Sequence, residues 1–140
     1  MAVTRAAAQD ERDFTDPIIG KLDNRVTQFL NSVAAGTPSA AFGELLAGSR
    51  LLEQEAAVKT LVDKAKEIPD RYGAYRESEQ LSAKRLGKDL VLLKYLFKCE
   101  RFPVIWYFAF YRETSRATNG DDNWVVIAVR FDTQVDTLFD

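Results

Sequence analysis

The sequence predicts an α+β domain: three N-terminal helices packed on a curved four-stranded antiparallel sheet. Three observations carry that expectation. Up to Pro69 the apolar residues recur at three- and four-residue steps, as on an amphipathic helix. Beyond Tyr72 they alternate with a period of two, and no helical pattern separates the alternating runs. Helices first and strands afterwards is the order of segregated layers, with the helices on one face of the sheet.

Asp16-Pro17 opens the first helix, because Asp is a good N-cap and the missing proline N–H has no intrahelical partner at the first position. Ile18, Leu22, Val26, Phe29, Leu30 and Val33 form its stripe, and Gly36 closes it. Thr37-Pro38-Ser39 opens a short second helix with Ala41, Phe42, Leu45 and Leu46 inward, ended by Gly48-Ser49. The third is expected from about Arg50 to Glu67, with Leu51, Leu52, Ala56, Val58, Leu61, Val62, Ala65 and Ile68 in its stripe and Pro69 as its stop.

Residues 74–86 alternate loosely and are rich in Glu, Gln, Ser and Lys, as befits an edge strand. Leu86-Gly87-Lys88-Asp89 is a tight turn. Residues 90–101 form the strongest strand, with Val91, Leu93, Tyr95, Phe97 and Cys99 on one face. Phe102-Pro103 turns into a third strand over 104–113, apolar on both faces. Trp106, Phe108 and Phe110 lie on one side, and Ile105, Tyr107 and Tyr111 on the other. If Phe102 and Pro103 are the central turn residues, Cys99 faces Trp106, Phe97 faces Phe108 and Tyr95 faces Phe110. A loop carrying Asn119-Gly120, a favoured hairpin pair, leads to a fourth strand from Trp124 to Asp132. Leu138 and Phe139 then offer a final contact.

The 140 residues, 46% of them hydrophobic, suffice for one real core and are few for two. Residues 16–140 therefore read as one domain behind a flexible tail over 1–15. The formal charge of −2 gives no general attraction to nucleic acid or anionic membrane, and no apolar run is long enough to span a bilayer. The start, Met1 to Gln9, has two readings: the small-residue end of an export signal, giving an exported or periplasmic protein, or a frayed Ala-rich terminus of a cytoplasmic one.

Histidine is absent, which removes the usual general base and the commonest metal ligand. The glycines are scattered, so no phosphate-cradling loop is present, and no cofactor or metal is expected. The lone Cys99 lies in an apolar strand and reads as a buried small hydrophobe. Glu77 and Glu79 share a strand face and could hold a cation, but a solvated edge-strand face explains them more simply. Asp121-Asp122 reads as turn chemistry. Lys84, Arg85, Lys88, Lys94, Lys98 and Arg101, with Tyr95, Trp106 and Tyr107 nearby, sketch a weak single-stranded nucleic-acid platform. The interspersed Asp89 and Glu100 fit an ordinary surface better, and nucleic acid is not the favoured partner.

The run Tyr72-Gly73-Ala74-Tyr75, the turn Leu86-Gly87-Lys88-Asp89-Leu90, the stretch from Lys94 to Arg112, Trp124-Val125-Val126 and Phe131-Asp132 together resemble small bacterial proteins of the nuclear-transport-factor-like (SnoaL-like, cystatin-like cone) superfamily. The resemblance covers roughly residues 20–135 and is one of pattern, without a diagnostic catalytic signature. It implies a cone, closed at one end by helices, that can hold an apolar ligand. The members most like this chain are uncharacterised, and several are exported. The superfamily's isomerase-like and dehydratase-like enzymes place Asp, His and Tyr inside the cone, and the lack of His departs from the dehydratase-like pattern.

Three functional readings follow. The first is a non-catalytic small-ligand-binding or dimeric interaction domain. Its candidate pocket is Tyr72, Tyr75, Tyr95, Phe97, Trp106, Phe108 and Phe110, and its candidate homodimer interface is Ile105, Tyr107 and Tyr111, since a sheet apolar on both faces needs a second cover. The second is a small isomerase- or dehydratase-like enzyme in which Tyr72, Tyr75 or Tyr95 donates to substrate and Glu79 or Asp132 acts as acid. The third is the nucleic-acid platform. Composition favours the first.

Overall fold

A computed structural model describes residues 16–113 and 123–139. Helix α1 spans Pro17–Ala34, and the Asp16 carboxylate accepts from the Ile18 N–H at 2.9 Å, as the cap expectation requires. Its buried stripe is Ile19, Leu22, Val26, Phe29, Leu30 and Val33. Helix α2, Pro38–Leu45, buries Ala41, Phe42 and Leu45.

The third helix departs from expectation. Arg50–Glu53 is a 3-10 turn, α3 runs only over Glu55–Lys66, and a short α4 follows at Ile68–Tyr72. Ser49 is the reason for the late start. Its buried hydroxyl donates to the Val126 carbonyl at 2.5 Å and accepts from the Leu51 N–H at 3.0 Å, tying a tight turn to the sheet. Pro69 restarts a helix instead of only ending one, because it stands in the first turn, where its ring is tolerated.

The sheet is antiparallel in the order β1-β2-β3-β4, with β1 Tyr75–Leu86, β2 Leu90–Cys99, β3 Val104–Arg112 and β4 Trp124–Asp132. The architecture is thus α+β, with the helices packed on one face. Both edge strands are bulged: Arg76 and Leu81 are extra residues in β1, and Ile127 is extra in β4. Each bulge bends and twists its strand. The one in β4 also turns Val129 and Phe131 to the helix side, where Phe131 stacks on Trp106 at 4.3 Å.

The β2–β3 register corrects the expected one. Trp106 faces Tyr95, Phe108 faces Leu93 and Phe110 faces Val91, four residues along β2 from the expected partners. The cause lies outside the hairpin. The Glu100 N–H donates to the Ala74 carbonyl at 2.9 Å and the Arg101 N–H to the Tyr72 carbonyl at 2.8 Å, so the end of β2 belongs to the α4–β1 corner, not to β3. Because the shift is even, every side chain keeps its expected face. The tail corrects a smaller point: Leu138 is 37% and Phe139 88% exposed, in a 3-10 turn held by its own local hydrogen bonds. The Asn119-Gly120 turn, Asp121-Asp122 and residues 1–15 lie outside the described residues.

Candidate functional site

The expected pocket residues of the inner face meet one another. Phe29 of α1 sits edge-on to Phe42, Trp106 and Phe108, at 4.9, 5.3 and 5.7 Å between ring centroids. Tyr95 is edge-on to Phe108, and Trp106 lies nearly parallel to it at 6.0 Å. Tyr95, Phe97, Trp106, Phe108 and Phe110 are each at most 2% exposed. Their rings fill the space between helices and sheet, as edge-to-face and offset pairs prefer. Tyr75 packs on Phe97 at 4.6 Å, and Tyr72 lies at the α4 corner beside Phe102. The Trp106 indole N–H has no hydrogen-bond partner among the described residues.

One Tyr–carboxylate pair does form inside, but with a different acid. The Tyr95 hydroxyl donates to Asp23 Oδ1 at 2.5 Å, and Gln80 Nε2 donates to both, at 3.0 and 3.1 Å. Burial and the Asp23 carboxylate push the Tyr95 phenol well above its ordinary pKa. The trio fastens α1 to β1 and β2. Asp23 is missed by the sequence reasoning; its one signal there is a carboxylate directly beside Leu22 on the helix's apolar stripe. Glu79 and Asp132, the expected acids, face the other side of the sheet. Glu79 and Glu77 share Lys98 Nζ at 3.0 and 3.9 Å, and Asp132 pairs with Arg130 at 2.6 Å.

The basic residues are not gathered into one platform. Arg85 is bound to Asp16 at 2.9 Å, and Arg101 donates to the Asp70 carbonyl at 2.9 Å. Tyr95 and Trp106 are buried on the opposite face from Tyr107. Cys99 is buried, which pushes its thiol pKa up. Among the described residues no three acidic, Cys or His groups could hold a metal ion, and no helix is long and apolar enough to cross a membrane.

The outer face carries a more open feature. Ladder pairing sets Lys94, Tyr107 and Arg130 in one row and Leu92, Ala109 and Ala128 in the next. Arg130 lies over the Tyr107 ring at 3.7 Å, and Lys94 lies 5.9 Å from its centroid. That row stands tall, while the two alanines leave the next row low. The step between them is a trough of about 300 Å³ with Ser82 and Lys84 on its β1 side. Ile105, expected at this surface, is fully buried, whereas Tyr111 is 42% exposed and Tyr107 is half-buried. A second cleft of about 270 Å³ lies where α3 and the 3-10 turn meet the outer edge of β4, lined by Leu51, Val58, Leu61 and Ile127. Ala128 and Val129 line both.

No family model, no curated protein and no solved structure matches this chain.

Proposed function

We propose that the protein is a non-catalytic small-ligand-binding domain whose site is the trough on the outer face of the sheet. The observation that carries this reading is the trough itself: about 300 Å³, floored by Ala109 and Ala128 and walled by Tyr107. That volume is at the lower end of the range for small-molecule sites, which are mostly apolar with a few polar groups. The inner aromatic face is closed by its own rings, and the Tyr95–Asp23 pair there is engaged in fastening α1, so neither supports an enzyme. The nuclear-transport-factor-like resemblance bears on the order of elements alone, since the ligand it implies would lie inside the cone and this trough is on the outer face.

The experiment is an amide-shift titration with three decyl-chain probes: decanol, decanoate and decyltrimethylammonium. Saturable shifts at Leu92, Ala109 and Ala128 with any one probe, abolished in Ala128→Trp, support the site. No shift there with any probe, or unchanged binding in Ala128→Trp, overturns it.

A homodimer through the same face is the second reading, favoured by Leu86, Leu92 and Tyr111, which are 48, 37 and 42% exposed in neighbouring rows. Light scattering at micromolar concentration decides it. A dimer mass that Tyr111→Glu converts to a monomer supports pairing; a monomeric wild type rejects it.

A further inference from the structure

We propose that the ligand of the outer trough is an anionic amphiphile, a single-chain carboxylate with its head at Lys94 and Arg130 and its chain over Ala109 and Ala128. The inference rests on the small-ligand reading above and adds the sign of charge and the direction of the chain. Of the eleven described residues that line the trough three are basic, Lys84, Lys94 and Arg130, and none of the eleven is acidic. Two of these cations are already ordered by the Tyr107 ring, so holding an anion costs little further side-chain freedom. Arg130 gives Nη1 to Asp132, and a guanidinium carries five N–H donors in a planar fork suited to a carboxylate.

The chain has an apolar route away from that head. The alanine floor leads to Ala128, which also lines the cleft at the β4 edge, where Leu51, Val58 and Leu61 are the walls and Gln54 is the one polar side chain. A basic section joined to an apolar one through a shared strand is the complement of an amphiphile. It is a poor complement of a second copy set face to face on the trough, since a two-fold axis there would bring the Lys94–Arg130 row toward itself. Single-stranded nucleic acid is disfavoured as well, because Arg130 already covers a face of Tyr107, the aromatic ring of the outer wall.

The test ranks the same three decyl probes by calorimetry at low and at moderate salt. Decanoate is expected to bind at least about tenfold more tightly than decanol, the scale of one charge-assisted contact, and more tightly still than decyltrimethylammonium. Lys94→Met, which keeps the aliphatic stem, should weaken decanoate more than decanol and so narrow the gap between them, with Arg130 still present. Val58→Gln should weaken both probes alike. Equal binding of decanol and decanoate overturns the anionic assignment while leaving the binding site standing. Absence of binding by every probe overturns both. Binding only to vesicles of anionic phospholipid, with no affinity for monomeric decanoate, overturns the single-chain ligand.

Discussion

Tyr95 and Asp23, seventy-two positions apart, meet in a 2.5 Å hydrogen bond between the buried phenol and a carboxylate on α1. Hydrogen bonds to a charged group contribute roughly 1.5–3 kcal/mol, so Tyr95→Phe should lower stability by about that much at neutral pH. Its alkaline behaviour is more specific. The phenol's pKa is raised in the folded protein, by burial first and by Asp23 second. The contribution is therefore complete below the unfolded value of about 10 and declines as pH climbs beyond it, because only the unfolded chain then loses the proton. Urea midpoints measured at pH 7, 9 and 10.5 should fall more steeply for wild type than for Tyr95→Phe. Parallel slopes would show that the phenol is not protected as described.

At the start of α1, two turns before Asp23, Asp16 caps the helix and binds Arg85, with the two side chains 14% and 28% exposed. The hydrogen bond from Arg85 is the largest cause that lowers its pKa, followed by the Ile18 N–H. A depressed carboxylate stabilises the fold above its unfolded value of about 3.9 and loses that contribution as pH falls toward the lower folded value. Asp16→Asn keeps much of the capping geometry but not the charge. Its melting temperature should therefore converge on that of wild type below about pH 4, whereas Asp16→Ala should cost about 1–2 kcal/mol at pH 7 through the lost cap. A gap between wild type and Asp16→Asn that persists unchanged at pH 3 would rule out this origin.

These two contacts show what a sequence reveals and what it hides. The Asp16 cap was legible because capping is local, and so was the face of each residue in β2 and β3, because alternation is local too. The β2–β3 register was not, since the backbone of a corner some thirty residues upstream fixes where β2 ends. Neither was the Ile127 bulge, which no residue type announces. The trough shares that obscurity: Ala109 and Ala128 are ordinary alone and make a depression only when pairing sets them side by side. Nothing local to Asp23 shows that Tyr95, seventy-two residues further on, comes to lie opposite it.

The corner itself is testable at Gly73, which has φ +97° and ψ 177°, a region reached almost only by glycine. A Cβ there would lie 3.0 Å from the Glu100 Cβ and 3.2 Å from the Arg101 backbone nitrogen. Gly73→Ala should cost about 2–4 kcal/mol, combining backbone strain with the displaced loop. Amide exchange should accelerate first at Glu100 and Arg101, whose N–H groups bind the corner carbonyls. Gly87 has φ +68°, but a Cβ added there would meet nothing within 4 Å. Gly87→Asn, whose side chain tolerates that backbone, should therefore cost under about 1 kcal/mol. Equal losses at the two glycines would count against the steric role of Glu100.

The bulge in β4 permits a sharper comparison, between two single-residue deletions three positions apart. Ile127 is the unpaired residue between Ala109–Ala128 and Phe110–Val126. Removing it restores plain alternation and leaves Val126, Val129 and Phe131 on the helix side, so the deletion should cost no more than about 1–2 kcal/mol. Removing Arg130 instead shifts Phe131 into an outward position and breaks its 4.3 Å stack on Trp106. Losing that half-buried ring and its aromatic partner should cost about 2–4 kcal/mol. Tryptophan fluorescence during urea unfolding reports on both variants, because Trp106 is fully buried beneath Phe131. If the Ile127 deletion unfolds earlier than the Arg130 deletion, Ile127 is a ladder residue and the faces of β4 beyond it are not those described.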